Sequence, residues 1–132
     1  MSTVIDASVL VSALLDDGPE GQWAEDIIAA GSLHAPELLQ VEVANTLRKL
    51  ERAKDITSAQ ANAAFEDLMQ LKLELFSFDP FADRIWQLRH NLTSYDAWYV
   101  AVAEALNLPL ATLDERLARA KEAACEFLTP RR

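Results

Sequence analysis

The sequence is poor in the residues that mark the more easily recognised kinds of protein. One cysteine among 132 residues, Cys125, excludes an internal disulfide and fits a reducing compartment. Its place between Ala124 and Glu126 reads as ordinary packing. Three glycines and five prolines are too few for a flexible linker or a low-complexity tract. No apolar run approaches the roughly 20 residues that span a bilayer, and no basic-then-apolar leader opens the chain. The expectation is a cytoplasmic protein with no membrane partner. The two histidines, His34 and His90, are too far apart for a zinc-ligand spacing, so packing or surface roles are expected of both. Positive charge is scarce as well. Twelve Lys and Arg against 21 Asp and Glu give a net charge of −9. That balance argues against wide, unaided contact with a polyanion, because such affinity rests on neutralised phosphates.

What is abundant is hydrophobic side chain, 51% of residues, enough for one core in one domain over residues 1–132. Thr3-Val4-Ile5 is β-branched and reads as a buried strand, followed by a short helix through Leu15. Helical spacing resumes from Glu20 to Ala30, where Gly31 stops it. Residues 33–35 suit a second strand. Pro36 suits the first turn of a helix to about Ala53, with Leu39, Val43, Leu47 and Leu50 as its apolar stripe. Ser58 starts another helix through Phe65, Leu68, Met69 and Leu71. Residues 73–78 alternate as a third strand, and Asp79-Pro80 opens a helix to about Asn91. From Asp96 to Val102 the chain is apolar on almost every side, as a helix buried all round would be, with Thr93 or Ser94 as its cap. Strands at Leu110 and at Phe127-Leu128 flank a helix from Glu115 to Ala124, before the Arg131-Arg132 tail. Strands alternating with helices imply an α/β fold. The expectation is a three-layer αβα sandwich whose mainly parallel sheet has four or five strands.

Carboxylates recur where apolar elements stop: Asp6 after the first strand, Asp96 at the start of the buried helix, Asp114 after the strand at Leu110. Each has a bland account. Thr112 to Glu115 and Thr93 to Asp96 both match a capping box, and acids suit first turns for dipole reasons alone. Glu42 alone reads as a solvated helix residue. Asp6 is harder to dismiss, since an acid directly after a buried strand is costly without partners. Jointly, ligands in parallel sheets bind at the carboxyl ends of strands. Acids gathered there repel one another unless a cation resolves the conflict. An all-oxygen, partly hydrated site suits Mg²⁺ or Mn²⁺.

The ordered set of these motifs resembles the PIN-domain ribonucleases, especially the VapC-type toxins of prokaryotic toxin–antitoxin pairs. The resemblance is carried by Ile5-Asp6-Ala7-Ser8-Val9-Leu10-Val11, by Glu42-Val43-Ala44-Asn45-Thr46-Leu47-Arg48, by Tyr95-Asp96-Ala97-Trp98-Tyr99-Val100-Ala101 and by Pro109-Leu110-Ala111-Thr112-Leu113-Asp114-Glu115-Arg116-Leu117. It implies a metal-dependent endoribonuclease in which Asp6, Glu42, Asp96 and Asp114 surround one or two Mg²⁺ or Mn²⁺ ions. It implies Asp6 and Asp96 as the most direct ligands, Asp114 as a direct or water-bridged one, and Glu42 as the group that orients or deprotonates the attacking water. Ser8, Asn45, Thr112 and Arg116 are candidates to support the acids or touch substrate. The resemblance also implies an RNA substrate, a VapB-like antitoxin over the acidic cleft, and a homodimer; from the residues, a helix face bearing Trp23 or Phe65 is the candidate dimer surface.

Other classes place acids at parallel strand ends too. A phosphatase of the haloacid dehalogenase type needs a second Asp two residues after the first, where Ser8 stands. A receiver domain needs a phosphorylatable Asp after the third strand and a Lys after the last. Asp79 supplies the first, but Pro80 follows it and no Lys lies near Phe127. A non-catalytic module binding RNA or protein is the third alternative, and the intact acidic quartet counts against it.

Overall fold

The computed structural model describes residues 1–130; the Arg131-Arg132 tail lies outside the described residues. Five strands form one sheet, wholly parallel: β1 (Thr3–Ile5), β2 (Leu33–Pro36), β3 (Leu73–Phe76), β4 (Leu110–Ala111) and β5 (Phe127–Leu128). Their spatial order is β3-β2-β1-β4-β5. Val4 pairs with His34 on one side and with Leu110 on the other. Val4, Ile5, Leu110 and Ala111 are wholly buried, as the apolar runs of a parallel sheet covered on both faces must be.

Helices α1 (Ala7–Leu15) and α2 (Pro19–Ala29) join β1 to β2, and α3 (Leu39–Arg52) and α4 (Ser58–Gln70) join β2 to β3. A 3₁₀ turn at Asp79–Phe81, α5 (Ala82–Gln87) and α6 (Ser94–Leu106) lead back to β4, and α7 (Glu115–Ala118) precedes β5. The first two crossovers step one way across the sheet and the third steps back over it. Right-handed connections therefore put α1 to α4 on one face and α5 with α6 on the other. The packing agrees: α1 lies on α2, α3 and α4, while α6 crosses β1, β2 and β4 with α5 beside it. The direction of winding reverses between β1 and β4. At such a reversal the helices part and leave a crevice outside the carboxyl ends of the strands.

α6 is the buried helix expected from its composition, with residues 99–103 all in the core. Thr93 caps its start by accepting from the Asp96 N–H. Asn107, left-handed at φ 54°, closes its end and donates to the Ala103 and Glu104 carbonyls. Among the described residues no helix is long and apolar enough to cross a membrane.

Several expected boundaries move. Pro36 ends β2 instead of opening α3, which starts at Leu39 without a side-chain cap. Glu37 N–H donates to Phe76 O and so carries the ladder to β3 past the proline. On α4 the buried stripe is Ala61, Ala64 and Leu68, while Phe65 and Met69 face outward at 45% and 54% exposure. Small residues let α4 lie close, and the large ones are left over. Gly31 does not close α2 in a left-handed turn. A Cβ there would sit 1.8 Å from the Met1 carbonyl oxygen, so glycine serves a close approach. The helix expected from Asp79 is divided between the 3₁₀ turn and α5. The helix expected to run from Glu115 to Ala124 ends at Ala118. Beyond it the chain is held from outside, by Arg84 on the Glu122 carbonyl and by Glu104 on the Ala124 N–H.

Candidate functional site

Asp6 stands at the crevice, directly after β1, and is 7% exposed. Its Oδ1 accepts the Val9 N–H at 3.2 Å and caps α1. The same oxygen accepts the Ser8 hydroxyl, and Oδ2 accepts the Thr112 hydroxyl, which arrives from the end of β4. Ser8 Oγ in turn accepts the Leu113 N–H at 3.1 Å, and Thr112 Oγ1 accepts the Asp114 N–H at 3.0 Å. These bonds tie the ends of β1 and β4 together around one carboxylate. Thr112 is therefore no helix cap. It is wholly buried, and Asp114 caps α7 in its place, accepting from Arg116 and Leu117.

Three other acids approach from different elements. Glu42 lies in the first turn of α3, half-buried, and its Oε1 accepts the Tyr99 hydroxyl at 2.6 Å. Asp96 lies in the first turn of α6 and is half-buried; Asp114, after β4, is exposed. Burial raises the Asp6 carboxyl above its ordinary value, against the hydrogen bonds from Ser8, Thr112 and Val9, and Asp96 raises it further. Burial raises Glu42 as well, opposed by Tyr99 and reinforced by Asp6 and Asp96. Burial and then Asp114 raise Asp96, while Thr93 and Arg116 pull it back. Asp6, Glu42 and Asp96 thus share one negative field, and Asp114 joins it through Asp96.

Such a field asks for a cation. The donors are all oxygen, and neither histidine is among them. That set suits Mg²⁺ or Mn²⁺ and is wrong for soft metals. Among the described residues no three acidic, histidine or cysteine side chains form a ready-made cage. Mg²⁺ keeps several of its waters and needs only one or two direct carboxylates, so a spaced set meets its chemistry.

The supporting candidates divide. Ser8 and Thr112 sit on Asp6. Asn45 does not reach the acids; it is exposed, and its Oδ1 accepts from Arg48 Nε at 3.1 Å. Arg116 is exposed and acts on Asp96 by charge alone. Beside the acids opens a cleft of about 410 Å³, walled by Asp96 and Asp114 and rimmed by Arg116, Arg119 and Lys121. Tyr99 was not anticipated. Its signal was present, since a tyrosine inside a buried helix needs a partner for its hydroxyl and lies one turn from Asp96.

The PIN domain family model matches residues 3–123 of this chain. A VapC ribonuclease of Mycobacterium bovis is 40% identical over 122 residues, covering 92% of this chain and 93% of the relative. Among solved structures, PAE2754 from Pyrobaculum aerophilum superposes with a TM-score of 0.71 at 25% identity, over 96% of this chain and 83% of that one. A member of the VapBC family of toxin–antitoxin systems from Mycobacterium tuberculosis superposes with a TM-score of 0.58 at 22% identity, over 97% and 98% of the two chains.

Proposed function

The chain belongs to the PIN-domain family, and from that premise we propose that it is an Mg²⁺- or Mn²⁺-dependent endoribonuclease, the toxin of a toxin–antitoxin pair. The observation that carries this reading is the mutual field of Asp6, Glu42 and Asp96 at the carboxyl ends of β1 and β4, with Asp114 beside Asp96. It is the arrangement that opposes any anion unless a divalent cation is present. Asp6 and Asp96 would hold the ion most directly, and Asp114 directly or through water. A bound Mg²⁺ or Mn²⁺ supplies charge against the phosphodiester, a lowered pKa for its water and stabilisation of the departing oxygen.

The chain's own groups do the rest. Ser8 and Thr112 fix the rotamer of Asp6, so no ordering is needed at the moment of reaction. Glu42, held by Tyr99, orients the attacking water or takes its proton. The water oxygen bonds to phosphorus as a bridging P–O bond breaks, and the departing oxygen takes a proton from solvent, giving a phosphate monoester end and a hydroxyl end.

A VapB-like antitoxin with a basic segment would match the acidic site by charge. An apolar groove of about 660 Å³ beside Ser8, lined by Val11, Leu15, Leu50, Ile56 and Leu113, would seat apolar side chains of the same antitoxin. A homodimer would use Phe65 and Met69 on α4. Trp23 is unsuited to that role because it is half-buried against the core.

The test uses purified protein on structured RNA, with Mg²⁺ and with chelator, beside Asp6→Asn and Asp96→Asn. Cleavage by the wild type in Mg²⁺ alone, lost in both variants, is the expected result. Equal cleavage by all three proteins, or cleavage that persists in chelator, overturns the reading.

A further inference from the structure

Of the basic side chains that line the cleft, Arg116 acts on Asp96 by charge, while Arg119 and Lys121 are not explained by the acidic chemistry. Arg116, Arg119 and Lys121 are three of the chain's 12 Lys and Arg, set within six residues of a protein whose net charge is −9. All three line the same 410 Å³ cleft as Asp96 and Asp114. Among the described residues none of the three has its side chain in an ion pair or hydrogen bond, although carboxylates stand across the cleft. Helix-dipole stabilisation is a poor account of them, because α7 has only four residues. The segment that carries Lys121 is also fixed in place. Arg84 holds Glu104 through two hydrogen bonds of 2.7 and 3.0 Å. It also donates to the Glu122 carbonyl at 2.9 Å, and the Ala124 N–H donates to Glu104 at 2.7 Å. Anchoring of this kind keeps the cations on the cleft rim.

We propose that Arg119 and Lys121, with Arg116, form a phosphate cradle that seats the backbone of single-stranded RNA beside the scissile bond. The inference deepens the nuclease reading and rests on it for the identity of the polyanion. The cleft lining carries both signs, with Asp96, Asp114 and Glu122 beside Arg116, Arg119 and Lys121. Its acidic wall takes the reacting phosphate only through a cation, and its basic rim takes neighbouring phosphates directly. Leu92, Leu117 and Ala120 add apolar surface to the lining. The contacts go to phosphates, so they position the strand without reading its sequence. A single strand fits because the cleft is a local depression whose three cations come from six consecutive residues, a shorter reach than a duplex would need.

Phosphate contacts have a signature in salt. For single strands, each neutralised phosphate contributes about 0.7 to the slope of log affinity against log salt. The measurement is anisotropy of a fluorescent single-stranded oligoribonucleotide with Mg²⁺ present, on an Asp6→Asn background that holds the RNA uncut. Arg119→Gln and Lys121→Gln are each expected to lower the slope by about 0.7, and the double variant by about 1.4. Lys72→Gln is the control: it precedes β3 at the amino end of the sheet and should leave the slope unchanged. Equal slopes for all variants would overturn the cradle, as would a Lys72→Gln effect as large as the others. The nuclease reading is scored separately, by wild-type cleavage of structured RNA in Mg²⁺. An uncut RNA sinks that reading, while the slopes still decide the cradle.

Discussion

Tyr99 shows how much a single hydroxyl can settle. It is 3% exposed and donates to Glu42, so the tyrosine ring is core while its oxygen belongs to the site. Burial, and then Glu42, push the phenol well above its ordinary value, so it remains a donor at any working pH. Tyr99→Phe keeps the ring and removes the bond. The expected outcome is a loss of about 1 kcal/mol in stability by denaturant titration. Single-turnover cleavage should slow about tenfold, with KM unchanged, because Glu42 loses its orientation and not its charge. A variant that cleaves like the wild type would detach Tyr99 from the chemistry. Asp96 gives the converse case. Its carboxylate is held above its ordinary value by burial and by Asp114. Asp96→Asn should therefore raise the melting temperature in EDTA by a few degrees and abolish most of the increment that Mg²⁺ confers. A melting temperature that falls in EDTA would contradict the field described for the site. Asp6, Asp96 and Asp114 were legible in the sequence because each stands at an end of an apolar element, whereas Glu42, inside α3, reads alone as a solvated helix residue. Their fixing groups were only half legible. Thr112 reads as a cap until β1 and β4 are known to be neighbours, and Asp6 and Thr112 are 106 residues apart.

Elements were legible where hydrophobic pattern decides them and illegible where a distant contact does. β1, α6 and β4 are buried on all sides, so composition alone marks them. α7 is different: nothing local forbids it from continuing to Ala124, and it stops because Arg84 and Glu104 hold residues 122–124 in another path. Burial by itself would raise Glu104, but the Arg84 and Ala124 hydrogen bonds and the Arg84 charge bring it below its ordinary value. The clamp's stability is therefore present above the ordinary glutamate value and is lost as pH falls through the lowered one. Glu104→Gln leaves the guanidinium with a neutral partner and should cost about 2 kcal/mol at neutral pH. It should also loosen residues 119–126 in hydrogen exchange while β1 and α6 stay protected. Unchanged exchange in that segment would show that the clamp does not hold it.

At the scale of the molecule, two sets of acids with opposite linkage share one fold. Asp6, Glu42 and Asp96 have folded values above the unfolded ones, so the folded chain binds more protons over a window that opens near pH 4 and runs upward. Their contribution is full below that window and falls as pH rises through it. Glu104 acts in the other sense, below its ordinary value. Metal-free protein should therefore be most stable in mild acid and lose stability toward neutrality. A divalent cation reverses this, because it binds the ionised site and not the unfolded chain. At 100 times its dissociation constant Mg²⁺ adds about 2.7 kcal/mol at neutral pH. That corresponds to roughly 10 °C in a chain of this size. As pH falls through the raised values, protons take the same carboxylates and the increment should shrink. Calorimetry across pH 4.5 to 8, with Mg²⁺ and with EDTA, measures both curves. Curves that stay parallel would mean that the acids at the ends of β1 and β4 titrate without a cation, and the metal-dependent chemistry would lose its physical basis.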